Sequence, residues 1–299
     1  MLRYSAMLPE QNKIKGVSLI LASSVIYSVM ACLVKVFAEM GAYRMAFGRF
    51  LVGLLIMSSL WATGRIRLRF TNKPLLVARG IIGGTAIWLT ILAVMELGIG
   101  KGTVILYSYP VFASLFGAVF LKERLRAGNF AALGCALAGL YLLVVGNNGL
   151  ENGFGIGKYE LLAVLGAILA GLAVVTIRKL HETETTLEIF YAQCVFGTLL
   201  MVGPGSFSAG PIDGKSIMVL LAFGIFAIGG QLTMTQGYRY LPVKTASVLT
   251  MSEPVTNYAI GIMIFHEMLS GKSLIGAAMI IAGCVMAVSV RSKTGSTAK

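Results

Sequence analysis

The chain alternates between long apolar runs and short polar segments. An α-helix rises about 1.5 Å per residue, so about 20 apolar residues cross the roughly 30 Å hydrocarbon layer of a bilayer. Runs of about this length follow one another along the whole sequence, at residues 16–36, 45–63, 75–95, 99–121, 127–145, 159–178, 187–204, 216–237, 243–265 and 273–290. The pattern predicts an all-α membrane protein with ten transmembrane helices.

The composition agrees, because the chain is too apolar for a soluble domain. Of its 299 residues, 57% are hydrophobic and 12% are charged, whereas a soluble domain carries roughly 25% charged residues. A compact core could not bury so much apolar surface in a chain of this length. The runs also lack the short, alternating strands of a transmembrane barrel, so helices are predicted.

The basic residues are divided unevenly between the two sides of the predicted bundle. With the N-terminus inside, 17 of the 25 lysines and arginines fall on that side, 6 fall on the other, and Arg49 and Arg79 lie within helices. By the positive-inside rule we expect both termini in the cytoplasm. The net charge of +13 then reflects topology, and no nucleic-acid partner is expected. The four cysteines lie inside apolar runs without a metal-ligand pattern, so no metal is predicted.

The second half of the chain repeats the first at an offset of 144 residues. Between 100–145 and 244–289, 10 of 46 positions are identical, and they include Pro110 with Pro254. We therefore divide the chain into a first repeat, 1–146, and a second repeat, 147–299. Each repeat has five helices, an odd number, so the second repeat enters the membrane inverted. Inverted repeats are typical of secondary transporters, whose substrate site lies near the bilayer midplane between them.

Each repeat also carries a proline in its fourth helix, followed 13 residues later by a glutamate. The motifs are Pro110…Lys122-Glu123-Arg124-Leu125, Pro254…His266-Glu267-Met268-Leu269, GRF at 48–50, ARG at 78–80 and Glu253-Pro254. Over nearly the whole chain this pattern resembles the drug/metabolite transporter superfamily, in particular its EamA-type members. The resemblance implies ten helices in two inverted five-helix repeats, and a place in the cytoplasmic (inner) membrane. It also implies transport of amino acids, other metabolites, nucleotide-type compounds or toxic cations.

Glu253 lies near the middle of the ninth predicted helix. A carboxylate at that depth costs about 2.5–3.5 kcal/mol on insertion scales, so such a residue usually faces a cavity or a partner. It could couple transport to protons, or balance the charge of a substrate amine. The alternative is a neutral carboxyl group hydrogen-bonded to Gln231 or Asn257. Its counterpart in the first repeat is Tyr109.

Pro110 and Pro254 lie in the middle of the predicted fourth and ninth helices. Proline lacks an amide hydrogen and frees the carbonyl four residues earlier, here Leu106 and Thr250. In a membrane that carbonyl needs a partner or a water-lined cavity. The prolines are therefore interpreted as hinges that expose backbone to a substrate, and the alternative is a static packing kink.

Arg49 and Arg79 lie about five residues inside the second and third predicted helices and are replaced by Gln193 and Phe223 in the second repeat. They either reach back to the membrane interface or bind a substrate carboxylate or phosphate inside the cavity. Polar side chains well inside the helices complete the predicted cavity wall: Tyr27, Trp88, Tyr107, Tyr109, Gln231 and Asn257.

These observations lead to a secondary transporter of small organic metabolites, such as amino acids or related compounds, that works by alternating access. Helices one, three, four, six, eight and nine are expected to line the cavity, and export is the expected direction from the family resemblance. No cofactor is expected, and transport is either proton-coupled or simple exchange. One chain holds a complete pathway, so a monomer suffices and a dimer is also compatible. The alternatives are a drug or cation exporter, which the arginines disfavour, and a membrane enzyme acting on lipid.

Overall fold

The computed structural model describes residues 10–36, 41–148, 157–207, 214–265 and 270–290. These segments form α-helices and, within the described ranges, no strand. The helices are α1 Glu10–Val36, α2 Ala42–Ala62, α3 Lys73–Leu106, α4 Tyr109–Phe120, α5 Ala127–Asn148, α6 Lys158–Leu180, α7 Thr186–Phe207, α8 Gly214–Tyr240, α9 Val243–Leu249, α10 Ser252–Phe265 and α11 Gly271–Ser289.

Nine segments of the described chain are long and apolar enough to cross a membrane. Of these, Lys73–Gly98 lies within α3, and Lys101–Phe120 runs from the end of α3 through α4. The remaining predicted span, 243–265, is present as the shorter helices α9 and α10, of 7 and 14 residues. The predicted all-α membrane fold is therefore confirmed, with the spans 99–121 and 243–265 each divided between two helices.

The third span turns into the fourth at Gly98, inside α3. Gly98 has φ 77° and ψ 162°, a conformation that a side chain would strain and that glycine adopts freely. Just beyond the turn, Gly102 packs against Ala93 and Val94, so the chain doubles back on itself. In the second repeat the corresponding position is Pro242, which is the N-cap of α9.

Pro110 and Pro254 do not lie in the middle of unbroken helices, as was expected, and their role as hinges stays a prediction. The helix is interrupted before each proline, between Leu106 and Tyr109 and between Leu249 and Ser252. Each proline therefore lies in the first turn of a new helix, where its missing N–H is not needed and its φ already suits the helix. The carbonyl of Thr250, which was expected to be free, accepts a hydrogen bond from the backbone N–H of Glu253 at 3.1 Å.

Corresponding helices of the two repeats run antiparallel where they meet. Along α5 and α11, Gly128 packs against Val290, near one end of the pair, while Gly139 packs against Gly276 further along. Along α2 and α7, Gly53 packs against Cys194 while Phe50 packs against Gly197. Residue numbers rise on one helix as they fall on the other, which is the relation expected for inverted repeats.

The other helix contacts also occur in repeat-related pairs. Helix α1 packs on α8 as α6 packs on α3, α2 packs on α8 as α7 packs on α3, and α1 packs on α10 as α6 packs on α4. The corresponding helices α5 and α11, like α2 and α7, pack on each other. This exchange of partners brings both helix interruptions to the centre of the molecule.

Candidate functional site

A cavity of about 200 Å³ lies between the two repeats, next to both helix interruptions. Its wall includes apolar residues of α3 and α6 together with a set of polar ones. The polar residues are Ser23, Tyr27, Arg49, Arg79, Thr90, Tyr107, Tyr109, Gln193, Gln231, Thr250 and Glu253. The wall therefore includes α2 and α7, through Arg49 and Gln193, besides the helices that were predicted.

Arg49 is held from several directions. Its Nη2 donates to Oε1 of Gln231 at 3.0 Å, and the same oxygen accepts from the Tyr27 hydroxyl at 3.0 Å. The guanidinium also lies over the Tyr27 ring, 5.6 Å from its centroid, within the range of a cation–π interaction. Arg49 is 8% exposed, so it does not reach back to the membrane interface.

Arg79 is more deeply buried, with 2% of its surface exposed. Its Nη2 donates to Oε1 of Gln193 at 2.9 Å. Its Nε and Nη1 atoms are buried and have no hydrogen-bond partner in the described structure. The helix around it lies against the central turns of α7, because Gly80 packs on Ala192 and Gly84 packs on Gly197.

Glu253 faces Arg49 from the start of α10. Its carboxylate accepts a hydrogen bond from the Tyr107 hydroxyl and interacts electrostatically with Arg49. The adjoining interface between α1 and α10 is built from hydroxyl groups. There Ser28 and Thr256 hydrogen-bond each other at 2.5 Å, and Thr256 also donates to the Glu253 carbonyl at 2.9 Å.

The two interruptions are joined by a hydrogen bond between side chains. The Tyr109 hydroxyl bonds the Thr250 hydroxyl. Because Thr250 donates its own hydrogen to the carbonyl of Ser247 at 2.7 Å, Tyr109 is the donor of this pair. The first residue of α4 is thus tied to the interruption before α10.

Two of the predicted cavity residues lie elsewhere. Trp88 packs on the ring of Tyr43, with 5.0 Å between ring centroids, and Asn257 lies one turn beyond Glu253 on α10. Neither belongs to the cavity wall. The other seven predicted residues line it: Tyr27, Arg49, Arg79, Tyr107, Tyr109, Gln231 and Glu253. The predicted hinge residues Pro110 and Pro254 are buried beside the interruptions that they follow.

The sequence model of the EamA-like transporter family matches this chain twice, over residues 14–145 and 157–289. The chain belongs to the EamA-like transporter family. Members of this family, and the curated proteins that are similar to this chain, are transporters. The protein is therefore a multi-pass membrane transporter of a small molecule and not an enzyme.

Several curated relatives of this EamA-like chain are similar over most of its length. The pseudopaline exporter CntI of Pseudomonas aeruginosa is 27% identical over 276 residues, which cover 90% of this chain and 94% of the exporter. An uncharacterized transporter of Helicobacter pylori is 23% identical over 89% of this chain and 92% of its own length. Human solute carrier family 35 member G1 is 24% identical over 72% of this chain and 62% of its own length.

A solved crystal structure has the same fold. It superposes with a TM-score of 0.75 at 20% identity, over 91% of this chain and 96% of that one. At this level of identity the match shows the fold alone.

Gln193 and Thr250 are wall residues that were not predicted as such. Gln193 occupies the repeat position of Arg49, and Thr250 is the residue whose carbonyl Pro254 was expected to free. Both signals were present in the sequence. The repeat offset could have placed Gln193 in the wall as soon as Arg49 was considered a cavity residue.

Proposed function

We propose that this chain is a secondary transporter that exports small organic metabolites, with amino acids and related compounds as the first class to test, by alternating access. One observation carries the proposal. The cavity lies between two inverted repeats, at the helix interruptions, and its wall holds two arginines and one glutamate. Substrate sites of secondary transporters are typically built at interrupted helices between inverted repeats.

The charges favour a solute with a negative group over a purely cationic one. Arg49 and Arg79 together outweigh Glu253 inside a wall that is otherwise uncharged. A like charge in a low-dielectric cavity is strongly repelled. A drug-cation exporter is therefore the second candidate, and only Glu253 supports it.

Export as the direction of transport rests on similarity, since the relative from Pseudomonas aeruginosa is named an exporter. The proposed orientation has both termini in the cytoplasm of a cell whose cytoplasmic membrane holds the protein. Fusions of alkaline phosphatase or a fluorescent protein to the C-terminus test it. Fluorescence without phosphatase activity is expected, and the reverse result would contradict the proposed orientation.

The decisive experiment is counterflow in proteoliposomes that contain the purified full chain. A panel of labelled amino acids and related metabolites, with ethidium as the cationic comparison, is followed with and without a pH gradient. We expect carboxylate-bearing solutes to move and ethidium not to move. Movement of ethidium alone would replace the proposal by the cation exporter, and no movement of any solute by folded protein would overturn both.

Glu253→Gln separates the two roles proposed for Glu253 in the same assay. If the glutamate couples protons, the variant keeps counterflow but loses accumulation driven by the pH gradient. If it only contacts the solute, accumulation is absent from the wild type and the variant binds more weakly. Glu182→Gln is the matched control, because Glu182 lies at the surface, paired with Lys179.

A further inference from the structure

Arg79 is the charged group of the cavity with the fewest partners. Its side chain is 2% exposed, and Gln193 accepts a hydrogen bond from its Nη2 atom. The Nε and Nη1 atoms, which carry three of the five N–H donors of a guanidinium, have no acceptor in the described structure. An unpaired buried charge is costly, and ionisable residues inside membrane segments usually serve function.

The chain is shaped to hold the guanidinium in this place. A Cβ atom on Gly83, one turn further along α3, would overlap Nη1 of Arg79. The second repeat has Phe223 and Ala227 at the corresponding positions, and both are buried. The first repeat thus has a glycine one turn after its arginine, whereas the second repeat, which has no arginine at this position, has an alanine there.

Arg49 differs from Arg79 in this respect. It has Gln231 as an acceptor, the Tyr27 ring below it and the Glu253 carboxylate as a counter-charge. One positive charge of the cavity is therefore balanced within the wall. The other, on Arg79, has a neutral amide as its partner.

We propose that Arg79, held over Gly83, is the subsite that binds the carboxylate of the transported solute. This inference deepens the proposed function and rests on it. A carboxylate accepts charge-assisted hydrogen bonds from a guanidinium and can do so through two oxygens at once. With the carboxylate bound, the cavity holds two positive and two negative charges.

The wall beside this subsite indicates the chemistry of the rest of the solute. Ile87, Ala170, Val174 and other apolar side chains of α3 and α6 line the same cavity. The substrate class that fits is a small monocarboxylate with an apolar body. An amine is accommodated at Glu253 and Tyr107, but the Arg79 subsite does not require one.

The test measures binding to the purified full chain in detergent, by thermal stabilisation and by calorimetry. The probes are 3-phenylpropionate and 4-methylpentanoate, each compared with its neutral carboxamide of nearly the same shape. We expect both acids, and neither amide, to stabilise the wild type. In Arg79→Met the affinity for the acids should fall roughly 10- to 100-fold, as expected when hydrogen bonds to a charged group are lost.

Gly83→Ala tests the same subsite without removing a charge. Its new methyl group must displace the guanidinium, so the acids should again bind at least roughly 10-fold more weakly. The matched control is Gly134→Ala, where an added Cβ would meet nothing within 4 Å, and it should bind the acids like the wild type. These variants keep the test decisive if Arg79→Met does not fold.

The outcomes distinguish this inference from the proposed function. Acids that bind through Arg79 while no solute shows counterflow would uphold the subsite and overturn transport. Three results, each together with counterflow of some solute, would overturn the subsite and leave transport standing. They are equal binding of the acids and their amides to the wild type, no binding of either acid to the wild type, and unchanged binding of the acids in both Arg79→Met and Gly83→Ala.

Discussion

Two of the regions where the repeats meet, the α5–α11 pair and the cavity, treat the internal symmetry differently. In the α5–α11 pair, Gly139 packs against Gly276, and Gly283 packs against Ala132, which is the repeat counterpart of Gly276. The same close approach is therefore made twice. Small residues let two helix backbones come this close, which is how helices associate in a membrane.

In the cavity the corresponding positions carry different chemistry. Arg49 is matched by Gln193, Arg79 by Phe223 and Tyr109 by Glu253. Polar groups of the second repeat likewise face apolar counterparts, since Gln231 corresponds to Ile87 and Thr250 to Leu106.

The difference separates two demands on one repeat. Two helices that exchange places under a two-fold axis need the same small residues on both, since each is the other's packing surface. An asymmetric solute, with a charged end and an apolar end, needs different groups on the two sides of its site. Symmetry is thus kept where it builds the scaffold and is absent in the cavity, where we propose that the solute binds.

The largest effect is expected from breaking the scaffold. A Cβ on Gly276 would overlap the backbone nitrogen of Leu143 and lie 2.5 Å from the carbonyl oxygen of Gly139. Backbone atoms cannot move aside as a side chain can, so Gly276→Ala should cost about 3 kcal/mol of stability, the upper end of overpacking costs. Thermal unfolding in detergent and size-exclusion chromatography measure it.

The control for Gly276→Ala is Gly134→Ala on the partner helix α5, where there is room for the added methyl group. It should change the unfolding temperature little. Equal effects of the two substitutions would mean that helix propensity, and not the close approach of α5 and α11, determines the cost.

The second prediction makes the cavity more symmetric. Arg49→Gln gives the first repeat the residue that the second has at Gln193. The variant loses the cation over Tyr27 and the counter-charge of Glu253. Transport in proteoliposomes should fall roughly 30-fold, the equivalent of about 2 kcal/mol. Arg65→Gln, at an exposed loop position, is the matched control, and transport by Arg49→Gln at the control level would show that this asymmetry is not functional.

The sequence predicted the scaffold well because its signals are periodic and local. Apolar runs mark the spans, and the offset of 144 residues already pairs Gly139 with Gly283. Where a proline interrupts a helix was not predictable in the same way. A proline in an apolar run is compatible with a kink or with the start of a new helix, and contacts distant in sequence, such as that of Tyr109 with Thr250, accompany the second outcome here.

The cavity was predictable only as far as depth in the membrane defines it. Polar residues near the midplane were good candidates, but depth does not say which way a side chain points. Ile87 lines the cavity, whereas Trp88, rotated by about 100° on the helix, packs on Tyr43. That Gln193 is the partner of Arg79 was also not predictable, because their contact depends on α7 lying beside α3.

A smaller effect is expected at the bond between the two interruptions. Tyr109→Phe removes the donor to Thr250 but leaves Thr250 bonded to the carbonyl of Ser247. The change also removes the hydroxyl beside that of the buried Tyr238, so the loss of stability should be about 1.5 kcal/mol. A double-mutant cycle with Thr250→Val measures the coupling. A coupling near zero would mean that the hydroxyl contact does not tie the interruptions together.

The smallest effect is expected at a contact that also lacks a repeat counterpart. Lys101 and Glu160 form an ion pair of 2.5 Å between α3 and α6, with side chains 14% and 18% exposed, while Thr245 and Gly16 stand at the corresponding positions. Partly exposed pairs contribute little to stability, because water competes for both charges and salt screens them. A cycle of Lys101→Met and Glu160→Gln in thermal unfolding should give a small coupling at low salt and a smaller one at high salt. A coupling as large as that of Tyr109 with Thr250 that does not respond to salt would contradict this account, because it would require a pair shielded from water. The asymmetry at this end of the bundle would then matter to the fold as much as the symmetry of α5 and α11.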